Sequence, residues 1–433
     1  MPLEHRAGFA SACQLKNPLG TRVLEETLGG TGNISSHHAE FVVTPVTSTG
    51  GAREFRQSMV PHPLVHQELP HEPHFGIYNG RLRSLSYAKG SADDIYWRLR
   101  RSVMLSHTGE LPTEIRGPDA EAMLDRVFTR SVGKVRVGRC SYQIACYPDG
   151  GVAMDGVLIR LEADRFWYVQ SDGEFYGWLR AQATGFDVEV FHPDVWVSQV
   201  QGPRSLDVLA AVADDGLPEP FNYFDAARVR IGGEPILVTR TGFTSELGWE
   251  FYLEPHSDIQ SIGKLIWDAG RMYDMDTTPA EVTNARRIEG GLLFAGSDFD
   301  ETMTPFEVGF EGLVDFAKGD FIGRSALEAA DRRCRTWGLT CAEGTPRHGR
   351  TLTEASSQVG RVTSSAWSPT LQCGIAIIRL DDPELGTGAK LDVECTDGVV
   401  RTATVGQLPR HDKAGDIPRG RAADSPEFPG VIA

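Results

Sequence analysis

The 433-residue sequence has no C-x-x-C pair, no apolar run approaching the length of a membrane span, and no excess of positive charge. Its seven cysteines (Cys13, Cys140, Cys146, Cys334, Cys341, Cys373, Cys395) are scattered and odd in number. That pattern suits reduced thiols better than a disulfide framework or a structural zinc site. Lys and Arg number 43 against 59 Asp and Glu, a formal net charge of -16. Such a surface repels phosphate backbones and anionic lipid, so neither nucleic acid nor membrane is expected as a partner. Met1 to Ala10 holds Glu4, His5 and Arg6 and lacks an apolar core, so the N-terminus does not read as a targeting segment and a cytoplasmic protein is expected.

What the chain does have is bulk. At 40% hydrophobic content it can build more than one core, and two or three domains are expected. Residues 1–74 read as an extended N-terminal arm, with glycines at 29, 30 and 32 and the run Pro70-His71-Glu72-Pro73-His74; ordered structure is expected from Phe75. Residues 75–324 alternate strand and helix signals. Gly117-Pro118-Asp119 opens a helix with Ala120, Met123, Leu124, Val127 and Phe128 on one face. Val152 to Arg160 and Arg165 to Gln170 alternate as paired half-buried strands, and Ser257 is placed to cap a helix bearing Ile259, Ile262, Leu265, Ile266 and Ala269. Residues 325–412 change to short β-rich runs, Thr336 to Cys341, Gly374 to Leu380 and Lys390 to Cys395, the texture of a small all-β barrel or sandwich. Residues 413–433 read as a loosely held tail. The class is α+β with a C-terminal all-β domain.

Three segments carry candidate chemistry, and each also has an ordinary structural explanation. Asp149-Gly150-Gly151-Val152-Ala153-Met154-Asp155 is a tight turn that places an acid at a strand start. Arg240 to Tyr252 is a glycine-punctuated turn and then a strand; Glu246 reads as a solvated loop charge, while Glu250 faces away from Trp249 and Phe251. A strand-fixed carboxylate can accept two parallel hydrogen bonds from a guanidine-like edge such as a pterin presents. Asn284 to Phe294 reads as a helix closing on Gly290-Gly291, followed by a loop and the proline-started turn at Thr304-Pro305.

Taken in order, with Gln201-Gly202-Pro203, Lys318-Gly319-Asp320-Phe321, Val359 to Ser364 and Leu408-Pro409, these segments resemble the glycine-cleavage aminomethyltransferase (T-protein) family, from about Tyr78 to Pro409. Ile77-Tyr78-Asn79, Ser171-Asp172 and Arg287 to Leu293 look closer to its tetrahydrofolate-dependent demethylases, of the dimethylsulfoniopropionate or aromatic O-demethylase kind. The resemblance implies a three-domain cloverleaf that binds tetrahydrofolate in a central hole. It matches Asp155 to the acid near the reactive pterin nitrogens, Glu250 to the pterin-binding glutamate and Tyr142 to a folate-contacting position; Asp172 and Glu246 join the expected cofactor-binding set. The arginine that opens the corresponding helix in aminomethyltransferases falls at Thr283, which argues against an aminomethyl-lipoyl protein substrate and for a free small molecule.

The implied reaction moves a methyl group from an O-methyl or S-methyl compound to N5, and an ether oxygen needs a proton that Asp155, His107 or Tyr78 could supply. The alternatives are a demethylenase acting on a methylenedioxy aromatic, an aminomethyltransferase, and a non-enzymatic folate-binding assembly factor. The last carries a lysine-glycine-cysteine-tyrosine motif where this chain has Lys318-Gly319-Asp320-Phe321. A metal site from His62, His66, His71 and His74 is set aside because the surrounding prolines give no fixed spacing. Gly29-Gly30-Thr31-Gly32 follows no apolar strand and makes a poor nucleotide loop.

Overall fold

The computed structural model describes residues 40–43, 55–58 and 60–421, in two compact units that part after Val60. In the first, β1 (Glu40–Val43) pairs antiparallel with β2 (Phe55–Ser58), Glu40 opposite Ser58. The rest of the expected arm before Val60, including Gly29 to Gly32, lies outside the described residues.

In the second unit, fixed structure starts ahead of Phe75. Val65–Gln67 and Leu69–His71 form two short 3-10 turns, and His62 and Leu64 are buried. Pro70 sits in the first turn of the second of these, where its preset φ favours a helical start; the prolines that suggest irregular chain here initiate structure.

The chain continues as a hairpin, β3 (Pro73–Tyr78) and β4 (Arg81–Tyr87), then α1 (Ala92–Arg101), β5 (Met104–Thr108), β6 (Thr113–Arg116), α2 (Ala120–Val127), β7 (Arg139–Cys146), β8 (Val152–Glu162), β9 (Arg165–Gln170), α3 (Tyr176–Gln182) and β10 (Glu189–Phe191). There follow β11 (Trp196–Gln201), α4 (Ser205–Val212), β12 (Ala226–Ile231), β13 (Glu234–Thr239), β14 (Gly248–Leu253), α5 (Ile259–Arg271), β15 (Asp276–Thr277), α6 (Ala280–Glu289), α7 (Pro305–Val308) and α8 (Arg324–Ala329). The last strands are β16 (Thr336–Cys341), β17 (Thr351–Glu354), β18 (Ser357–Ser368), β19 (Cys373–Leu380), β20 (Lys390–Glu394) and β21 (Val400–Gly406).

These strands make two large sheets and a barrel. The five-stranded sheet runs β10-β6-β9-β8-β7, the six-stranded sheet β12-β13-β14-β11-β5-β15, and β16 to β21 close into a barrel. The chain enters the six-stranded sheet through β5, leaves it to build the whole five-stranded sheet, and returns through β11. That excursion is why one sequence stretch carries two interleaved subdomains. Met123, Leu124 and Val127 of α2 pack with Leu158 and Phe166 in the core of the five-stranded sheet, while Leu339, Leu352, Ile378 and Leu391 fill the barrel. The α+β class with a closed C-terminal barrel is what the structure contains.

Local details differ from the sequence reading where tertiary contacts intervene. Helix α5 is capped by Asp258, whose side chain accepts from Ser261 N at 3.1 Å, one residue after the expected Ser257. Its buried stripe is Ile262, Gly263 and Ile266, and Leu265 is 41% exposed, because the Leu64 side chain seats against Gly263. Strand β14 is buried at all six positions instead of alternating, since helix α4 packs on it from one side while its Tyr252 joins the core that includes Trp167 of β9. Past the barrel, the Asp412 carboxylate accepts from Asp416 N and Ile417 N, both at 2.9 Å, and Pro418 is buried. The described start of the expected loose tail is thus a fixed turn; residues 422–433 lie outside the described residues.

Candidate functional site

The segment Gly242 to Glu250 is shaped by a side chain from another strand. The Gln201 amide of β11 lies flat against Gly242 and Gly248, where any Cβ would collide with it. It donates to Thr241 O at 3.1 Å and accepts from Thr244 Oγ1 at 2.8 Å. The glycines are therefore a seat for Gln201, and they fix where β14 begins.

Two residues into that strand, Glu250 stands between Gln199 on β11 and Thr239 on β13, its cross-strand partners, so all three side chains share one face. Gln199 Nε2 donates to Oε1 at 2.8 Å; Thr241 Oγ1 (2.6 Å), Tyr252 OH (3.1 Å) and Thr239 Oγ1 (3.3 Å) donate to Oε2. Every donor is neutral. Burial first, then the nearby Glu110 carboxylate, push the Glu250 pKa up to about 7. Oε2 is crowded, whereas Oε1 keeps a lone pair for a further donor.

The second carboxylate, Asp155, lies on β8 opposite Ile144. Tyr142 OH donates to its Oδ2, and its Oδ1 is buried with no hydrogen-bond partner among the described residues. Burial raises its pKa against the lowering effect of the Tyr142 and Ser171 hydrogen bonds. Asp172 is exposed and accepts from Asn79 N at 2.8 Å, tying the loop after β9 to the β3–β4 turn and holding Tyr78 nearby. Burial, then Glu110, and also Asp155 and Asp172 keep the Tyr78 hydroxyl protonated well past its usual range. Tyr78, Phe294 and Phe243 form an aromatic row with ring centroids 6.4 and 6.3 Å apart. Tyr78, Tyr142, Asp155 and Asp172 are thus gathered, and Glu110 with Gln199 links them to Glu250.

Two expected site residues stand elsewhere. Glu246 is buried, and Arg100 Nη1 and Arg286 Nε (2.9 Å) both donate to its Oε1. It is neither a solvated loop charge nor free for a cofactor, because two guanidinium groups satisfy it in a setting where an unpaired charge could not persist. His107 pairs with Ser198 across β5 and β11, one position off Gln199 and Glu250. Strand alternation turns it to the opposite face. There its ring nitrogens meet Ser198 Oγ and Gln67 Oε1 at 3.0 Å, its ring stacks on His62 at 4.4 Å, and burial pushes its pKa down to about 3. It stays neutral and is no proton source for the site.

The remaining motifs are anchors. Arg286 also binds Glu289, and Arg287 binds Asp298 and Ser364 Oγ (2.6 Å) on β18, fixing α6 to the barrel. Thr283 donates to Ala280 O of its own helix at 2.9 Å. His71 pairs with Asp276 (2.8 Å) and His74 with Ser86 (3.1 Å); no group of three or more His, Cys, Asp or Glu among the described residues could hold a metal ion. No helix among them is long and apolar enough to cross a membrane.

A cavity of about 670 Å³ reaches Tyr142 and is lined by Arg130, Arg139, Arg240, Arg419 and Arg421, a cationic mouth on a chain of net charge -16. The unpartnered Oδ1 of Asp155 and Oε1 of Gln170, with the open lone pair on Glu250 Oε1, are acceptors in want of donors. They fit a donor-rich heterocycle such as a pterin.

Residues 75–318 match the GCVT N-terminal domain and residues 335–412 the glycine cleavage T-protein C-terminal barrel domain. The fold is that of the aminomethyltransferase T of the glycine cleavage system from Bartonella henselae, with a TM-score of 0.73 at 22% identity over 82% of this chain and 98% of that one. Fold and site thus define a tetrahydrofolate-dependent transferase. The chain belongs to the glycine cleavage T-protein family. It is 32% identical to an aminomethyltransferase of Streptomyces coelicolor over 71% of this chain and 85% of that protein. It is also 32% identical to the trimethylamine-oxide aldolase of Ruegeria pomeroyi over 79% of this chain, which spans only 46% of that longer relative.

Proposed function

We propose that the chain transfers a methyl group from a small O-methyl or S-methyl compound to N5 of tetrahydrofolate. The carrying observation is the Tyr142–Asp155 pair, with Asp155 buried and Tyr142 half-buried, beside Tyr78, with a carboxyl oxygen left free. When bound, tetrahydrofolate supplies N5 as the acceptor nitrogen. Glu250 orients the pterin by accepting from its guanidine-like edge, and the arginine-lined mouth suits the carboxylates of the folate tail. Asp155, its pKa raised by burial, carries a proton to a departing ether oxygen, and Tyr78 is a neutral donor beside it. A sulfonium donor needs neither. The aromatic row of Tyr78, Phe294 and Phe243 excludes water and suits an apolar methyl-bearing donor. The resemblance to a trimethylamine-oxide aldolase supports a small methylated substrate.

Aminomethyl transfer is the second reading, favoured by the aminomethyltransferase that the chain covers over 85% of its length. Incubation with tetrahydrofolate and a panel of methoxy-aromatic, methylenedioxy, sulfonium and aminomethyl donors, with the folate product identified by mass, separates them. 5-Methyl-tetrahydrofolate supports demethylation; a methylene product from a methylenedioxy or aminomethyl donor overturns it. In the demethylation reading, Asp155→Asn lowers kcat on a methoxy donor by about 10²- to 10⁴-fold and spares a sulfonium donor. Equal losses on both would assign Asp155 to folate positioning instead.

A further inference from the structure

Gln199 holds two carboxylates, not one. Its Nε2 lies 2.8 Å from Glu250 Oε1 and 3.2 Å from Glu110 Oε1, so the two hydrogens of a single amide are divided between two acids. Glu110 follows β5, the strand on the other side of β11 from β14, and Thr108 Oγ1 donates to its Oε2. The charged and titratable groups facing the pair come from several elements. Tyr78 of β3 and Arg81 and Arg83 of β4 face Glu110. Tyr252 of β14, Cys140 of β7 and Tyr223, in the loop before β12, face Glu250. Arg81 spends Nη1 on the backbone carbonyls of Glu110 and Val195, 2.7 Å each, and no cation forms an ion pair with either carboxylate among the described residues. Two acids held by one amide, with Arg81 and Arg83 facing Glu110 but ion-paired to neither, compete for ionisation.

We propose that Glu110 is a positioning residue for Glu250: the two carboxylates, joined by the Gln199 amide, share one proton and act as a single monoanionic clamp on the pterin edge. This rests on the reading of Glu250 as the pterin acceptor. When the ligand's N–H groups arrive, the shared proton settles on Glu110 and the negative charge on Glu250, with no proton taken from or lost to solvent at neutral pH. The clamp therefore meets a neutral heterocycle with one charge instead of two, and its strength depends on a residue the ligand does not have to touch.

The test is calorimetric titration of the full-length protein with tetrahydrofolate, under oxygen exclusion, from the acid to the alkaline side of neutrality. Two buffers of different ionisation enthalpy count the protons exchanged. For the wild type, affinity falls on the acid side. Glu110→Gln keeps the shape and the Gln199 contact but removes the competing charge, so the acid limb moves down by about one pH unit or more, while the alkaline plateau stays. Glu110→Asp, which draws the carboxylate back, moves the limb the same way by less and serves if the glutamine variant does not fold. An acid limb superimposable on the wild type in a folded variant overturns the proposal, since a purely structural Glu110 would change affinity at every pH alike. A wild type that binds no tetrahydrofolate removes the Glu250 reading itself, an outcome separable from the first because no limb is then measured.

Discussion

Glu246 and Glu250 lie one helical turn apart in sequence and in opposite electrostatic worlds. Glu246 closes the glycine turn and is met by two guanidinium groups, Arg100 from α1 and Arg286 from α6. Glu250 is met by an amide and three hydroxyls. Both are buried, so both carboxylates start from the same desolvation cost. For Glu246 two guanidinium groups oppose it, although burial still leaves its pKa raised, and the acid is locked in a structural knot with Glu289, Tyr96 and Ser368. For Glu250 only neutral donors oppose it, and the acid is left responsive, able to accept a new donor or to take a proton. A site that must bind and release a neutral heterocycle needs the second kind of carboxylate.

The comparison breaks first at Glu246. Glu246→Ala removes the carboxylate that two buried arginines share, and a loss of about 3–5 kcal/mol in unfolding free energy is expected by denaturant titration; a loss below about 1 kcal/mol would mean that the knot is not holding α1 and α6 together. The next effect is at Glu250. Glu250→Ala weakens tetrahydrofolate binding by about 1.5–3 kcal/mol in calorimetry, and unchanged affinity would dissociate this glutamate from the ligand.

A third effect sharpens the contrast through pH. With its pKa raised to about 7 in the folded protein against about 4.3 in an unfolded chain, Glu250 favours the folded state fully only below the unfolded value. That contribution is lost as pH rises through about 7. Glu250→Gln cannot ionise, so relative to the wild type its stability improves by on the order of 3 kcal/mol between about pH 4 and about pH 8. A pH-independent difference between the two would place the Glu250 pKa back in the ordinary range.

Much of this architecture was legible in the chain. The helix after Pro118 and the strand from Lys390 announce themselves by periodicity, because each buries one face locally; the strand from Arg165, expected to be half-buried, is buried at every position after its first. The order of weak motifs pointed to the family, and the fold brings Asp155, Tyr142 and Tyr78 near one another. Glu246 was misread because a turn rich in glycine and serine looks solvated, and its arginines are 146 and 40 residues away in the chain. His107 was misread because which face of β5 carries it depends on the register with β11. Gln199, Thr239, Thr241 and Glu110 went unnoticed; the one available signal was the pair of glutamines in the buried Trp196 to Gln201 strand.

By itself, then, the sequence determined the element types, the barrel, and the presence of an acid on β14, since periodicity and glycine placement act over a few residues. Which acid is tied to cations and which stays open to a ligand was decided only by the tertiary structure. Burial and pairing set a carboxylate's charge, and both come from strands and helices that meet through the fold rather than along the chain.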